Sequence, residues 1–304
     1  MSSPDPLRLF DRHAVRRHRA RAARAPDAAD FLVHEAAERL ADRLEDMARP
    51  FPRALDLGCR AGVLARLLAG RGGIEALVHA DAAFAYARLA PAPAVVAEAE
   101  ALPFAPASFD LVLSNLDLHW TNDLPGALLQ LRQSLKPDGL LLASLFAGGT
   151  LAELRQAWLE AELAEEGGAS PRIAPVADAR DLGHLLQRAG FALPVVDSDP
   201  IQVTYPDALA LMRDLRAMGE SNAVRERRRH FTRRGTLMRA ALRYAELFAG
   251  ADGRIPASFE LVTLTAWAPH ESQPQPVRRG SAQARLAQAL APPRDGADQS
   301  ADRH

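Results

Sequence analysis

One cysteine, one lysine and three tyrosines are all that the 304 residues hold of those types. The single cysteine, Cys59, excludes an internal disulfide framework and any cysteine-cluster metal site, and it fits a reducing compartment. Lys136 is the only lysine, so arginine carries the rest of the positive charge. With the abundance of alanine, this is a compositional bias without bearing on mechanism. Charge of one sign is also missing: 37 basic against 38 acidic residues leave a formal net charge of −1. The chain as a whole is therefore no electrostatic binder of nucleic acid. No apolar run approaches the length of a membrane span. What is present, 48% hydrophobic and 25% charged residues, suits a globular chain with a sizeable core.

The N-terminal stretch "LRLFDRHAVRRHRARAARAP" holds seven arginines between Arg8 and Arg24 and no acid but Asp11. That balance resembles a mitochondrial presequence, but serine is absent and a regular helical pattern, "DFLVHEAAERLADRLEDM", follows at once. A surface helix lying across the domain is the preferred reading. Residues 1–50 are accordingly expected to form a helical segment covering the site described next.

Beyond it, apolar periodicity alternates between strand and helix. "RALDLG", "IEALVHAD", "AVVAEAE", "FDLVLSN" and "LLLASLF" read as five strands. Val63, Leu64, Leu67 and Leu68 share one face of the first intervening helix. Leu124, Leu128, Leu131 and Leu135 mark a later helix, capped by Asn122 or Asp123, with Pro125 in its first turn. "KPDG" reads as a turn. Leu151, Leu154 and Trp158 align on another helix, and "DLGHLLQRAGF" on one closed by Gly190. "LPVVDSDPIQVTY" and "SFELVTLTAW" supply two last strands, with a mostly helical insertion over about 206–250. The expected fold is α/β: a doubly wound, mostly parallel seven-stranded Rossmann-like sheet over residues 51–271. Residues 272–304 read as a poorly ordered tail.

"LDLGCRAG" is a strand, a glycine turn and a helix start, the arrangement that offers free backbone N–H groups to a ligand. Asp56, Gly58 and Gly62 satisfy its outline. An acid ending the second strand, about 20 residues on, should hold a ribose hydroxyl, and Asp81 stands there. Arg60 occupies the middle of the turn, where a third glycine would let a ligand approach the backbone.

"LDLGCRAG", "AEAEALPF", "FDLVLSN" and "LKPDG", in this order, resemble the class I S-adenosylmethionine-dependent methyltransferase fold. The resemblance implies S-adenosylmethionine as cofactor. Gly58, Cys59 and Gly62 would border its methionine and ribose parts, Asp81 with Ala82 would hold the ribose, Glu98 with Ala99 would edge the adenine, and Asn115 would sit beside the sulfonium. "LFDR", "LDLHWTNDLPGALLQLRQSLKPDG", "EEGGASPRIAP", "DLGHLLQRAGF", "IQVTYPDALALMRDLRAMGESN" and "HESQPQPVRRGSA" are similar to the respiratory complex I assembly factor family, methyltransferase-like proteins with an arginine hydroxylase among them. This similarity runs from Leu9 to Ala282. It implies an iron–sulfur protein subunit of complex I as partner, and a cytoplasmic or, in a eukaryote, mitochondrial-matrix location. That family usually keeps a glycine where Arg60 stands.

Methyl transfer asks for a positioned nucleophile and exclusion of water; His119 and Trp120, after the fourth strand, are placed to face a substrate, or to form a hydrogen-bonded core pair. Hydroxylation needs an oxidant, and no oxygen-activating centre is visible. His79 and Asp81 have the spacing of part of an iron-binding triad, but Asp81 is accounted for by ribose, so no metal is expected. "RERRRHFTRR" is a solvated helix face, or a dock for an acidic partner or an anionic membrane surface. Two alternatives stay open: an O-methyltransferase similar to the malonyl-carrier-protein methyltransferase of biotin synthesis, and a non-catalytic assembly chaperone. The sequence sets neither the catalytic residues nor the oligomeric state.

Overall fold

A computed structural model describes residues 8–273. Its seven strands form one sheet in the order β3-β2-β1-β4-β5-β7-β6. β1 (Arg53–Leu57), β2 (Ala76–Asp81), β3 (Ala94–Val96), β4 (Phe109–Asn115) and β5 (Leu135–Phe146) run parallel. β7 (Ile255–Trp267) enters antiparallel between β5 and β6 (Ala192–Tyr205). The five parallel strands need crossovers, and the helices that make them cover both faces.

Alternation along the central strands sorts the core into two layers. Leu111, Leu113, Leu140 and Leu142 face α2 (Phe31–Glu45), α3 (Val63–Leu67), α6 (Ala152–Glu166), α8 (Ala208–Ala217) and α9 (Arg234–Phe248). Val112, Leu141 and Ala143 point the other way, onto α5 (Leu124–Ser134) and α7 (Ala179–Arg188). Such fully buried leucines each contribute on the order of 2 kcal/mol through removal from water.

Local chemistry explains the ends. Asp123 caps α5, its carboxylate accepting from Gly126 N at 2.9 Å, while Asn122 accepts from Phe10 N instead. Gly190, at φ +80, follows the end of α7.

Three local expectations need correction. Leu135 begins β5 instead of ending α5. "KPDG" is no free turn: it lies within β5, where the pairing slips from Phe109↔Leu135 to Leu111↔Leu140 and Asp138 adopts φ 61. The strand absorbs the extra residues as a bulge because its flanks, Leu135 and Leu140, both insert into the core. "RERRRHFTRR" is not a helix face; residues 220–233 are irregular up to the start of α9. Arg227 pairs with Asp11 and Arg228 with Glu166, which draws the segment across the domain instead of letting it coil.

The N-terminal arginines build α1 (Arg12–Ala22), whose carboxylate cap, Asp11, accepts from Ala14 N. Its apolar face is thin: Ala14, Val15 and Ala22, beside the buried polar His18 and Arg19. The residues just before it are held to the 223–227 stretch by backbone bonds, Asp11 N to Ala223 O and Arg225 N to Leu9 O, and by the Asp11–Arg227 ion pair. The tail expectation lies outside the described residues from residue 274 on.

Candidate functional site

The glycine turn follows β1 as a tight left-handed path, with φ +75 at Gly58, 51 at Arg60 and +72 at Gly62. Two of its amides, Gly58 N and Cys59 N, donate to Ala80 O. Behind it, buried Asp56 accepts a hydrogen bond from His79 Nδ1 at 3.0 Å; His79 is thereby turned into the sheet. Burial lifts the Asp56 carboxyl above the usual carboxylate range, against the pull of His79. Burial, with Asp56 and Asp81 nearby, pushes the Cys59 thiol far up, which makes it an inert small residue of the turn.

Asp81, fully buried at the end of β2, has every near donor engaged. Arg19 of α1 donates to it from Nε at 3.2 Å and Nη2 at 2.5 Å, and Arg60 N and Ala83 N donate at 3.1 and 2.8 Å. Arg19 also pairs with Asp117 at 2.9 Å. Glu98 meets Arg16 at 2.7 Å and Arg12 at 3.4 Å. Arg12, Arg16 and Arg19 stand at i, i+4 and i+7, so one face of α1 delivers all three to the acids of the turn. Ala82 and Ala99 are buried beside these acids. Asn115 is used structurally, donating to Val33 O at 2.9 Å and accepting from Ser144 Oγ at 2.8 Å.

These residues have the frame of an adenosyl site but not its space. A Cβ on Gly58 would fall 2.4 Å from Asp117 Cβ, so that side chain already fills the approach to the turn. The Arg60 side chain, 5% exposed, runs through the interior, and the void beside it measures about 10 Å³. In this conformation the residues do not fit S-adenosylmethionine.

The usable space lies next door. A cavity of about 240 Å³ opens between α6, α8 and the end of β4. His119 and Trp120 sit on its wall, and both donate to Glu220 Oε2, from Nε2 at 3.0 Å and Nε1 at 2.7 Å. Because a carboxylate only accepts, the His119 proton sits on Nε2, leaving Nδ1 as a buried nitrogen without a partner. Glu220 Oε1 takes Arg60 Nη2 at 2.7 Å. Burial would raise the Glu220 carboxyl, yet His119, Arg60 and Trp120 together hold it down to about 2. The rest of the wall is mixed: Phe146, Leu154, Trp158 and Met212 are apolar, and Thr150, Arg172, Arg216, Ser221 and Asn222 add polar and cationic groups.

Two motifs distant from the glycine turn build this wall. In "MGESN", Glu220 enters the site, Ser221 O accepts from His18 Nδ1 at 3.0 Å, and Asn222 donates to Pro171 O at 2.7 Å. In "EEGGASPRIAP", Ser170 and Arg172 bond buried Glu162 of α6, and Arg172 stacks over the Trp158 ring at 4.5 Å.

A methyltransferase-domain family matches residues 32–194 of the chain. Across 92% of its length the chain is 44% identical to the mitochondrial arginine-hydroxylase NDUFAF5 of Homo sapiens, covering 83% of that protein. The chain belongs to the methyltransferase-like complex I assembly factor family. The NDUFAF5 of Dictyostelium discoideum is 37% identical over 83% of this chain and 63% of its own length. A malonyl-[acyl-carrier protein] O-methyltransferase of Xylella fastidiosa is 38% identical, over 86% and 89%. Among solved structures, the YcgJ protein of Bacillus subtilis shares the fold with a TM-score of 0.54 at 15% identity, over 78% of this chain and 99% of that one.

Of the residues singled out in the sequence, the structure gathers Asp56, Gly58, Cys59, Gly62, Asp81 and Ala82 at the turn, Glu98 and Ala99 beside it, and His119 with Trp120 on the cavity wall, while Asn115 is engaged in the fold. Arg19, Asp117 and Glu220 were not singled out. "MGESN" was visible as a motif, but its distance from residue 120 hid what Glu220 touches. Among the described residues no helix is long and apolar enough to cross a membrane, and no cluster of three metal-ligating side chains forms.

Proposed function

We propose that this assembly factor acts on an iron–sulfur protein subunit of respiratory complex I, receiving an arginine side chain of that subunit in the His119–Glu220 cavity, with hydroxylation of the side chain as the reaction. One observation carries the reading: two of the segments that resemble the family, "MGESN" and "EEGGASPRIAP", wall the same cavity. Glu220 is the one carboxylate among the residues of that wall, which Arg172 and Arg216 also line, and so the anionic partner the cavity offers a cationic side chain. The names of the 43–45% identical relatives support arginine as the target.

S-adenosylmethionine belongs to this reading as the ligand of a conformation in which Arg19 and Arg60 have left the turn. The location that goes with the reading is the cytoplasm or the mitochondrial matrix. Arg229, Arg233 and Arg234, exposed like Phe231, are the surface for peripheral membrane contact.

The test is mass spectrometry of the subunit after incubation with the purified protein and a cell extract that supplies oxidant and cofactor. Gain of one oxygen on an arginine, lost with Glu220→Ala, supports the reading. Gain of a methyl group selects the O-methyltransferase reading, which the Xylella fastidiosa relative favours. A stable complex with an unmodified subunit selects the assembly chaperone, which the filled turn favours.

A further inference from the structure

The Arg60 side chain ends in a set of acceptors that suits a guanidinium better than any other cation. Nη1 donates to Met218 O at 2.7 Å, and Nη2 donates to Glu220 Oε1 at 2.7 Å and Leu116 O at 3.4 Å. We propose that Glu220 and the carbonyls of Leu116 and Met218 form a guanidinium receptor, occupied here by the chain's own Arg60, and that its external ligand is an arginine side chain entering through the cavity. The proposal rests on the reading that the cavity receives an arginine.

Three features support it. The acceptors come from two places far apart in the chain, Leu116 just after β4 and the "MGESN" segment that follows α8, and converge on the two terminal nitrogens. A planar fork satisfies such a set; an ammonium, a point donor on a flexible stem, does not. Second, His119 and Trp120 saturate Oε2, which fixes the carboxylate and aims Oε1 at the guanidinium. Third, Glu220 belongs to the cavity wall as well as to the Arg60 pair. Phe146, Leu154 and Met212 line the same cavity and suit an arginine's methylene stem; Arg172 and Arg216 line it as well, and Glu220 is the one carboxylate among these residues.

Arg60 is a poor occupant. It sits at φ 51, a left-handed backbone that costs a residue with a Cβ about 1 kcal/mol. Its Nε is buried without a partner. An incoming arginine therefore displaces it, at the expense of affinity.

The experiment uses the full chain with Arg60→Gly, a residue that adopts this backbone freely. The probes are N-acetyl-arginine amide and its uncharged near-isostere, N-acetyl-citrulline amide, read by calorimetry and by thermal midpoint. The variant should bind the arginine probe saturably, at least about tenfold tighter than the wild type and than it binds citrulline. Glu220→Gln in the Arg60→Gly background should abolish the response. A folded Arg60→Gly that ignores arginine, or takes citrulline equally well, overturns the receptor. Should the glycine variant unfold, Arg60→Asn replaces it, since asparagine tolerates the left-handed backbone and cannot reach Glu220. Folding restored by the arginine probe supports the proposal; two variants that stay unfolded with it overturn it. Arginine binding without any modified subunit keeps the receptor and removes the hydroxylase, whereas a subunit modified by a variant deaf to arginine does the reverse.

Discussion

Arg19 and Asp81, 62 residues apart, form a buried ion pair in which the arginine is 2% exposed and the aspartate not at all. Helix α1 is thereby fastened to the acid that ends β2, in the position where a ribose would compete for it. Removing one partner of a buried pair leaves an uncompensated charge and costs about 3–5 kcal/mol. Arg19→Met should lose stability on that scale in urea titration. It should also bind S-adenosylhomocysteine more tightly than the wild type, measured by calorimetry, because the competitor is gone. Equal or weaker binding by a folded Arg19→Met would show that α1 does not guard the turn.

Acid should weaken the fold in two stages. Burial first, and then the nearby Arg21 charge, push His18 down to about 4 from its ordinary 6.5. Between those values the unfolded chain binds a proton that the folded chain refuses, so stability falls as pH drops through the window. Glu220, held at about 2 against an ordinary 4.5, contributes stability that is complete above 4.5 and lost as pH falls towards 2. Urea midpoints measured across pH 7 to 2.5 should show both losses. His18→Gln should remove the upper one alone; an unchanged profile would exclude His18 as its source.

Two glycines separate backbone strain from steric conflict. Gly70, at φ +79, has nothing within 4 Å of an added Cβ, whereas at Gly58 the Cβ would meet Asp117 at 2.4 Å. Gly70→Ala should cost about 1 kcal/mol through backbone strain. Gly58→Ala should cost clearly more, and in an Asp117→Gly background, measured against Asp117→Gly alone because that change also removes a partner of Arg19, the excess should disappear. An excess that persists would place the conflict elsewhere in the turn.

Arg172 pins the 170–174 wall to α6 through Glu162, whose side chain is 1% exposed. Arg172→Met leaves that carboxylate paired only with Ser170 and should lower stability by about 3 kcal/mol. Hydrogen exchange should rise at residues 170–174 and stay level on α7. Uniform exchange across both would argue against a local role.

The strands, the glycine turn and Asp81 were legible because each depends on neighbours within a few residues: a period of two, a short turn, a strand end. The α5 cap could be narrowed no further than Asn122 or Asp123, since Asn122 is diverted by Phe10, 112 residues earlier. Arg60 was visible as a departure, but its destination depended on Glu220, 160 residues away. The arginines of α1 read as a solvated or targeting stretch because the acids that neutralise them lie on β2 and in the loops after β3 and β4. Charge pairing across a fold carries no periodicity, so no pattern along the chain announces it.

The backbone at Arg60 has a further consequence. Its left-handed conformation is the one glycine adopts without strain, and a glycine codon of the form GGN becomes an arginine codon, CGN, by a single base change. Self-filling of the turn is therefore one mutational step from an open turn in either direction, with no rebuilding of the loop. A lineage carrying this chain can shut or reopen its pocket as quickly as point mutation allows.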